Sequence, residues 1–279
     1  MSKKVIVSVS NDLVSDQRVH KTCVTLSENG WDVLLVGRKL PKSLPLSPRS
    51  YSCKRMNLLF TKGAFFYAEF NFRLFWYLIF HRSNVLHSND LDTLLANYLA
   101  STIKGCHLVY DSHEYFTEVP ELVNRPKIQK IWERIEEKIF PKLKHVFTVN
   151  ESIAELYSSK YKVKVNVIRN MPRLKVKESP IDIPLNYGDR KILLLQGAGI
   201  NIQRGAEELI ETMQYVNDAV LLIIGNGDVL PFLKQQTLTL NLSDTIYFLD
   251  KMPFEKLQNI TRQATLGISV DKPTNLNYQ

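Results

Sequence analysis

The stretch Lys191 to Ile210, KILLLQGAGINIQRGAEELI, restricts the fold more than any other part of the chain. Four consecutive apolar residues, Ile192 to Leu195, predict a strand buried on both faces, as in a sheet covered on each side by helices. Gly197, Gly199 and Gly205 follow with one cation, Arg204, and then Leu209, Ile210 and Met213 recur at helical spacing. Strand, glycine-bearing turn and helix in this order point backbone N–H groups at a phosphate. The unit begins two-thirds of the way along 279 residues, a length that supports two ordinary cores. Ahead of it, Asn170 to Asp189 carries three prolines and no strong periodicity, and reads as a connection between domains. The predicted organisation is therefore a first domain over 1–170, a linker over 171–189 and a second domain over 190–279.

The first domain opens as strand, helix, strand: Val5 to Val9, a helix with Val19, Cys23 and Leu26 on one face and Gly30 as its stop, then Trp31 to Val36. Ser15 or Asp16 is placed to cap that helix. This opening argues for a parallel sheet. A weaker third strand is expected over Arg55 to Leu59, and an aromatic helix over Phe60 to Phe80. Short strands follow at Val85 to His87, His107 to Tyr110, Val146 to Val149 and Val163 to Ile168, alternating with helical patterns. Beyond the linker, strands at Ala219 to Ile224, Thr245 to Leu249 and Leu266 to Val270 alternate with helices in the same way. Each strand of such a sheet normally carries a covering helix, and the last has none here. The expectation is that the second domain is incomplete.

Charge is unevenly held. Met1 to Leu185 has 28 Lys/Arg against 18 Asp/Glu, while Asn186 to Gln279 has 8 against 10. A first domain at +10 and a remainder at −2 point to an anionic substrate or surface facing the first. No basic helix, zinc spacing or ribonucleoprotein-type aromatic motif occurs, so nucleic acid is not an expected partner. Three scattered cysteines, Cys23, Cys53 and Cys106, fit a reducing compartment and argue against a disulfide scaffold or a cysteine-rich metal site. The apolar segment Ala64 to Phe80 is interrupted by Glu69, Asn71 and Arg73 and is short for a bilayer. A cytoplasmic protein is expected.

Polar residues gather where strands end: Asn11 and Asp12, His87 to Asp90, Asp111 to Glu114, Asn150, Gly197 to Arg204, and Gly225 to Asp228. In doubly wound folds those ends line the ligand crevice. No GxGxxG follows the first strand, where NDLVSDQ stands, which weakens a dinucleotide oxidoreductase. GxSxG is also absent.

The pieces SNDLVSDQRVHK, YDSHEYFTEVPEL, TVNESIAELY, NVIRNMP, QGAGINIQRGAEELIETM, LLIIGNGD, FLDKMPFEKL and ATLGISVDKPTNLNY, in this order and spacing, resemble glycosyltransferase family 4 over nearly the whole chain. The resemblance implies an α/β fold of the GT-B type, two Rossmann-like domains facing a cleft. It also implies retaining transfer of a sugar from a nucleotide-diphosphate sugar to a glycan or lipid-linked acceptor. It implies no cofactor and no metal, cations and backbone N–H groups taking the place of Mg²⁺. The aromatic helix Ala64 to Phe80 reads as core facing the sheet with Glu69 and Arg73 at its exposed rim; the alternative, with Lys62, Arg73 and Arg82 and the basic first domain, is a peripheral contact with the inner face of an anionic membrane or with a lipid acceptor.

By the same resemblance, Arg204 contacts the donor diphosphate, where a cation stabilises the leaving group. Gly197, Gly199, Gly225 and Asn226 belong to the donor loops. The family's second cation falls at Ala198, so one of two positive clamps is missing. His113 is expected at the reacting centre, with Glu114 orienting its ring or binding acceptor hydroxyls. Asp111 is expected in the cleft or as a turn-former. Asp16, Arg18 and Asn150 are cleft candidates, with helix capping by Asp16 and a surface pair between Asp16 and Arg18 as the plainer alternative. Asn150 and Asn170 bind ligand or hold turns. The family's acidic donor motif would begin after Tyr278, so the chain as given is expected to be weak or inactive. The alternatives are an inactive or scaffold-type derivative, or a nucleotide-sugar epimerase of related fold.

Overall fold

The computed structural model describes residues 3–277 apart from 15, 42, 44, 172–182, 184, 186, 198, 203 and 273–275, with backbone alone at 120, 121, 254 and 255. Ser15, Ala198 and most of the linker segment 171–189 therefore lie outside the described residues. Two compact units divide the chain, Met1–Pro172 and Arg173–Gln279.

The first unit contains β1 (Lys4–Asp12), α1 (Gln17–Glu28), β2 (Asp32–Lys39), β3 (Ser52–Asn57), α2 (Gly63–Phe80), β4 (Val85–Asn89), α3 (Leu91–Lys104), β5 (His107–Ser112), α4 (Pro120–Val123), α5 (Pro126–Ile139), β6 (His145–Thr148), α6 (Glu151–Tyr161) and β7 (Val165–Val167). Its seven strands are all parallel, in the order β3-β2-β1-β4-β5-β6-β7. Alternation along β1 fixes the two layers. Val5, Val7 and Val9 pack with Val19 and Cys23 of α1, whereas Ile6 joins Phe66, Phe70 and Leu74 of α2 and Ala96 of α3. Val19 and Cys23 stand one helical turn apart, so the apolar stripe of α1 meets the valine face of β1.

Asp16 caps α1, its carboxylate accepting from the Val19 N–H at 3.0 Å. Asp16→Ala is expected to cost about 1 kcal/mol of first-unit stability, read as a lowered melting midpoint. An unchanged midpoint would contradict this capping role.

The last strand covers only Leu266–Gly267 of the expected Leu266 to Val270, and two other departures from expectation share one reason. β3 runs Ser52–Asn57 rather than Arg55 to Leu59, because its pairing with Leu34–Lys39 sets the register of a mostly polar strand. β5 continues through Asp111 and Ser112, since both neighbours pair there: Asn89 opposite Asp111, and Thr148 opposite Ser112. Ladder hydrogen bonds from two sides outweigh the low strand propensity of polar residues.

The second unit contains β8 (Lys191–Gly197), α7 (Ala206–Thr212), β9 (Ala219–Gly225), α8 (Leu230–Thr239), β10 (Ile246–Leu249), α9 (Phe254–Gln263) and β11 (Leu266–Gly267). These four strands are parallel, ordered β10-β9-β8-β11. Every residue of β9 is buried. Its Leu221 and Ile223 face Leu209, Ile210 and Leu233, while Val220, Leu222 and Ile224 face Ile260 and Ile183. In each unit the chain reverses its direction of growth beside the first strand, at β1/β4 and at β8/β11. Ligand sites of open α/β sheets lie at the carboxyl ends of strands flanking such a point.

Candidate active site

In the first unit, β4, β5 and α1 bring one charged cluster together. Asp111, near the end of β5, forms an ion pair with Arg18, whose Nη2 donates to Oδ1 at 2.6 Å; both side chains are nearly buried. Arg18 Nη1 donates to the Ile168 carbonyl at 3.0 Å. This corrects two sequence expectations. Arg18 does not pair with Asp16 on the surface, and Asp111 is a strand residue holding a cation rather than a turn-former. The signal was hidden because the partners lie 93 positions apart and meet only once β5 is placed beside the start of α1.

His113 stands between two carboxylates. Its backbone N–H donates to Asp90 Oδ1 at 2.7 Å, its Nδ1 lies 3.2 Å from Asp90 Oδ2, and its Nε2 lies 3.5 Å from Asp111 Oδ2. Burial works against the imidazolium, but Asp90 and Asp111 outweigh it and raise the His113 pKa to about 9. At neutral pH the ring is a cation. It is therefore placed to orient or stabilise negative charge rather than to accept a proton. Asp111 is likewise opposed by burial, yet His113, His87 and Arg18 hold its carboxyl well below the usual range. His87 Nε2 sits 4.0 Å from Asp111 Oδ2, and burial lowers its pKa, keeping it neutral. An NMR titration of the histidine rings should put one midpoint near 9 and another below 6.5. A His113 midpoint at the ordinary value would contradict the double carboxylate clamp.

Sequence reasoning placed Asp90 in the polar run but gave it no role. It precedes α3 with φ 57° and ψ 167°, a conformation that side-chain-bearing residues rarely adopt and that costs about 1–3 kcal/mol. Its N–H donates to the Asp111 carbonyl at 2.9 Å, which locks the strained turn against β5. Burial raises the Asp90 pKa to about 6. Two residues on, Asp92 is buried and accepts from the Ser10 hydroxyl, with burial raising its pKa to about 7. Neither acid carries a local motif, so only tertiary proximity exposes them.

Glu114 is exposed beside this cluster; the two nitrogens of the His113 ring face Asp90 and Asp111. Asn150 caps α6, its side chain accepting from the Ile153 N–H at 2.9 Å. Asn170 accepts from Lys21 Nζ at 2.5 Å. Asp16 and Asn150 are thus held by helix starts, while Arg18, Asp111 and His113 belong to one constellation.

In the second unit, Gly197 and Gly225 end adjacent strands opposite each other. Gly225 has φ 140°, and a Cβ there would lie 1.8 Å from the Gly197 carbonyl oxygen. The Asn226 N–H donates to that same oxygen at 3.3 Å, and the Ile200 N–H to the Asn226 carbonyl at 2.8 Å. A Cβ on Gly227 would meet the Ile200 oxygen at 1.7 Å. The two loops therefore pack backbone to backbone, which glycine alone allows. Gly227→Ala is expected to destabilise the second unit by about 2 kcal/mol or more, visible in denaturant unfolding; an unshifted midpoint would contradict the close packing.

Arg204 reaches back over this loop: its Nε donates to Asp271 Oδ1 at 2.7 Å and its Nη1 to the Gly199 carbonyl at 3.0 Å. Its side chain keeps 35% of its surface exposed, so the cation is aimed by its partners and still open to a ligand. Glu207 and Glu208 occupy the first turn of α7, and Glu208 pairs with Lys272. Positive charge at this loop therefore comes from Arg204 rather than from the helix start.

An α/β sheet of parallel strands in each of two units is the make-up of a GT-B fold, and solved structures agree in fold. Sucrose-phosphate synthase from Thermosynechococcus elongatus matches with a TM-score of 0.73 and 15% identity, over 96% of this chain and 75% of that one. HepE from Anabaena, in complex with UDP and glucose, gives 0.68 and 13%, over 96% and 74%. A glycosyltransferase from Rickettsia africae gives 0.67 and 16%, over 97% and 73%. The model of Glycosyltransferase Family 4 matches residues 16–172, more than half of the chain, and the protein belongs to that family. No curated protein matches the sequence.

Proposed function

We propose that the protein transfers a sugar from a nucleoside-diphosphate sugar to a hydroxyl of a glycan or lipid-linked acceptor, with retention and without a metal ion. The observation that carries this reading is the loop pair of the second unit. Gly197 and Gly225 let two strand-end loops pack backbone to backbone, and Arg204 is braced beside them with its side chain partly exposed. HepE, a fold neighbour, is a protein whose structure holds UDP and glucose, which supports a nucleotide-sugar donor.

In the proposed reaction the bond from the anomeric carbon to the diphosphate oxygen breaks, and its electron pair leaves with the diphosphate. The acceptor oxygen bonds to that carbon on the same face, and its proton passes to the departing diphosphate. Arg204 stabilises the charge that develops there. The His113 imidazolium, with its two nitrogens facing Asp90 and Asp111, serves as a fixed positive charge of the first unit.

Incubation with a panel of UDP-, GDP- and ADP-sugars, with and without glycan and lipid-linked acceptors, tests this reading through release of nucleoside diphosphate. Release from one donor class, faster with acceptor and unchanged by a chelator, is the expected result. Neither binding nor release across the panel would count against it.

A further inference from the structure

Arg18 and Lys21 stand one helical turn apart on α1, and both reach the same short segment, Ile168–Met171, which follows β7. Arg18 Nη1 donates to the Ile168 carbonyl. Lys21 Nζ donates to the Asn170 side-chain oxygen and, at 3.0 Å, to the Met171 carbonyl. Little else fastens this segment. Ile168 is 52% exposed and Met171 67%, and neither joins a described apolar cluster. Backbone contacts add the Ile168 N–H to the Thr148 carbonyl at 2.8 Å and the Met171 N–H to the Arg169 carbonyl at 2.9 Å. Arg169 pairs with Glu151, and both side chains are exposed.

Two cations at this spacing repel each other. Burial and then the Arg18 charge lower the Lys21 pKa, so the two side chains are close enough to feel one another. Three acceptor oxygens of one segment hold them side by side. The other end of Arg18 lies in the charged cluster, where Nη2 holds Asp111 Oδ1 and Asp111 Oδ2 faces His113 Nε2. Arg18 Nε is buried without a hydrogen-bond partner among the described residues. The plane of the guanidinium is therefore set from its two ends, by Asp111 on one side and Ile168 on the other. A rigid fork bonded at one end alone would pivot about that bond.

We infer that Lys21 is a positioning residue for the His113 cluster. Lys21 fixes the Ile168–Met171 segment, the Ile168 carbonyl fixes the Arg18 guanidinium, and Arg18 fixes Asp111 against His113. The hydrogen bonds of Lys21 go to the segment, so it acts on the cluster through its neighbours. Asn170 is the anchor of this brace. The consequence for rate rests on the transfer reading proposed above, whereas the consequence for the ring of His113 does not.

Histidine-ring NMR titration and sugar transfer, measured together on Lys21→Met, Lys21→Arg, Asn170→Ala and Lys21→Met/Asn170→Ala, test the brace. The charged and titratable groups around His113 are Asp90 and Asp92 at the start of α3, His87 of β4, Asp111 of β5 and Arg18 of α1. Arg18 is the one tied to the segment. Once it swings away from Asp111, the ring loses a repelling cation and faces a less neutralised carboxylate. The His113 midpoint should then rise, by about half a pH unit. That rise is expected in Lys21→Met and in Asn170→Ala, with no further rise in the double variant, because each change breaks the same link. Lys21→Arg keeps a cation for the same oxygens and should retain the wild-type midpoint. Transfer should fall about tenfold in kcat/KM wherever the ring shifts. A lowered melting midpoint with an unmoved ring would overturn the inference, since a merely structural role predicts that. So would equal shifts in Lys21→Arg and Lys21→Met, or additive shifts in the double variant. A shifted ring with unchanged transfer would support the brace and count instead against His113 as part of the reacting site.

Discussion

His113→Ala is expected to lower sugar transfer about 100-fold or more, with a much smaller change in donor affinity. The ring is the cation between Asp90 and Asp111, and its removal takes away both a fixed positive charge and the partner of two buried carboxylates. Stability of the first unit should therefore fall as well, by about 3 kcal/mol, the cost of leaving a buried charge without its counterion. Asp90→Asn separates the two effects. It keeps the shape of the turn but removes one of the charges that raise the His113 pKa, so that pKa should drop from about 9 toward neutrality. Transfer should then decline at alkaline pH earlier than in the wild type.

The sign of the stability change follows from the same shift. A histidine whose folded pKa is raised from 6.5 to about 9 adds stability that is full below 6.5 and is lost as pH climbs through 9. Asp90, with its pKa raised to about 6, is already ionised over most of that window and contributes no further slope there. A pH–rate profile with its alkaline limb set by His113, moved downward in Asp90→Asn, would support the clamp. Identical profiles would reject it.

Arg204→Ala is expected to cost about 100-fold in kcat/KM for the donor, the usual loss when a cation opposite developing phosphate charge is removed. Arg204→Lys should recover part of it, since lysine keeps the charge but not the fork of donors. Asp271→Asn provides the contrast. If Arg204 merely ties the Val270–Asp271 segment to the loop, both changes should lower second-unit stability alike and leave donor affinity equal. A transfer role predicts that Arg204→Ala loses donor affinity while Asp271→Asn retains most of it. Isothermal titration with nucleoside diphosphate on the two variants distinguishes the cases.

Much of the fold was legible because its signals are local. The apolar runs of β8 and β9, the periodic faces of α1 and α5, and glycines at strand ends all act within a few residues. The weak strands were not, since β3 and the end of β5 owe their extent to pairing partners elsewhere in the chain. The aromatic helix is present as expected, but its faces were not legible. Its composition is apolar all round, so periodicity could not tell the buried row of Phe66 and Phe70 from the exposed row of Phe65 and Phe72.

The site was legible in part for a related reason. His113 and Arg204 stand in recognisable runs, whereas Asp90 acquires its place through backbone strain and Arg18 through a contact across the sheet. Burial and like charge set the behaviour of Asp90 and Asp92, and neither is a property of sequence neighbours. Gly225 and Gly227 could be read as turn formers, but their steric necessity appears only when the Gly197 and Ile200 carbonyls are seen against them.

A crystal structure of the chain with a bound nucleoside-diphosphate sugar tests the central claim most directly. The account predicts the diphosphate against the Gly197–Arg204 loop, with Arg204 in contact with a phosphate oxygen. Density for the diphosphate at any other place, with Arg204 still donating to Asp271 and Gly199 and touching no phosphate, would contradict it.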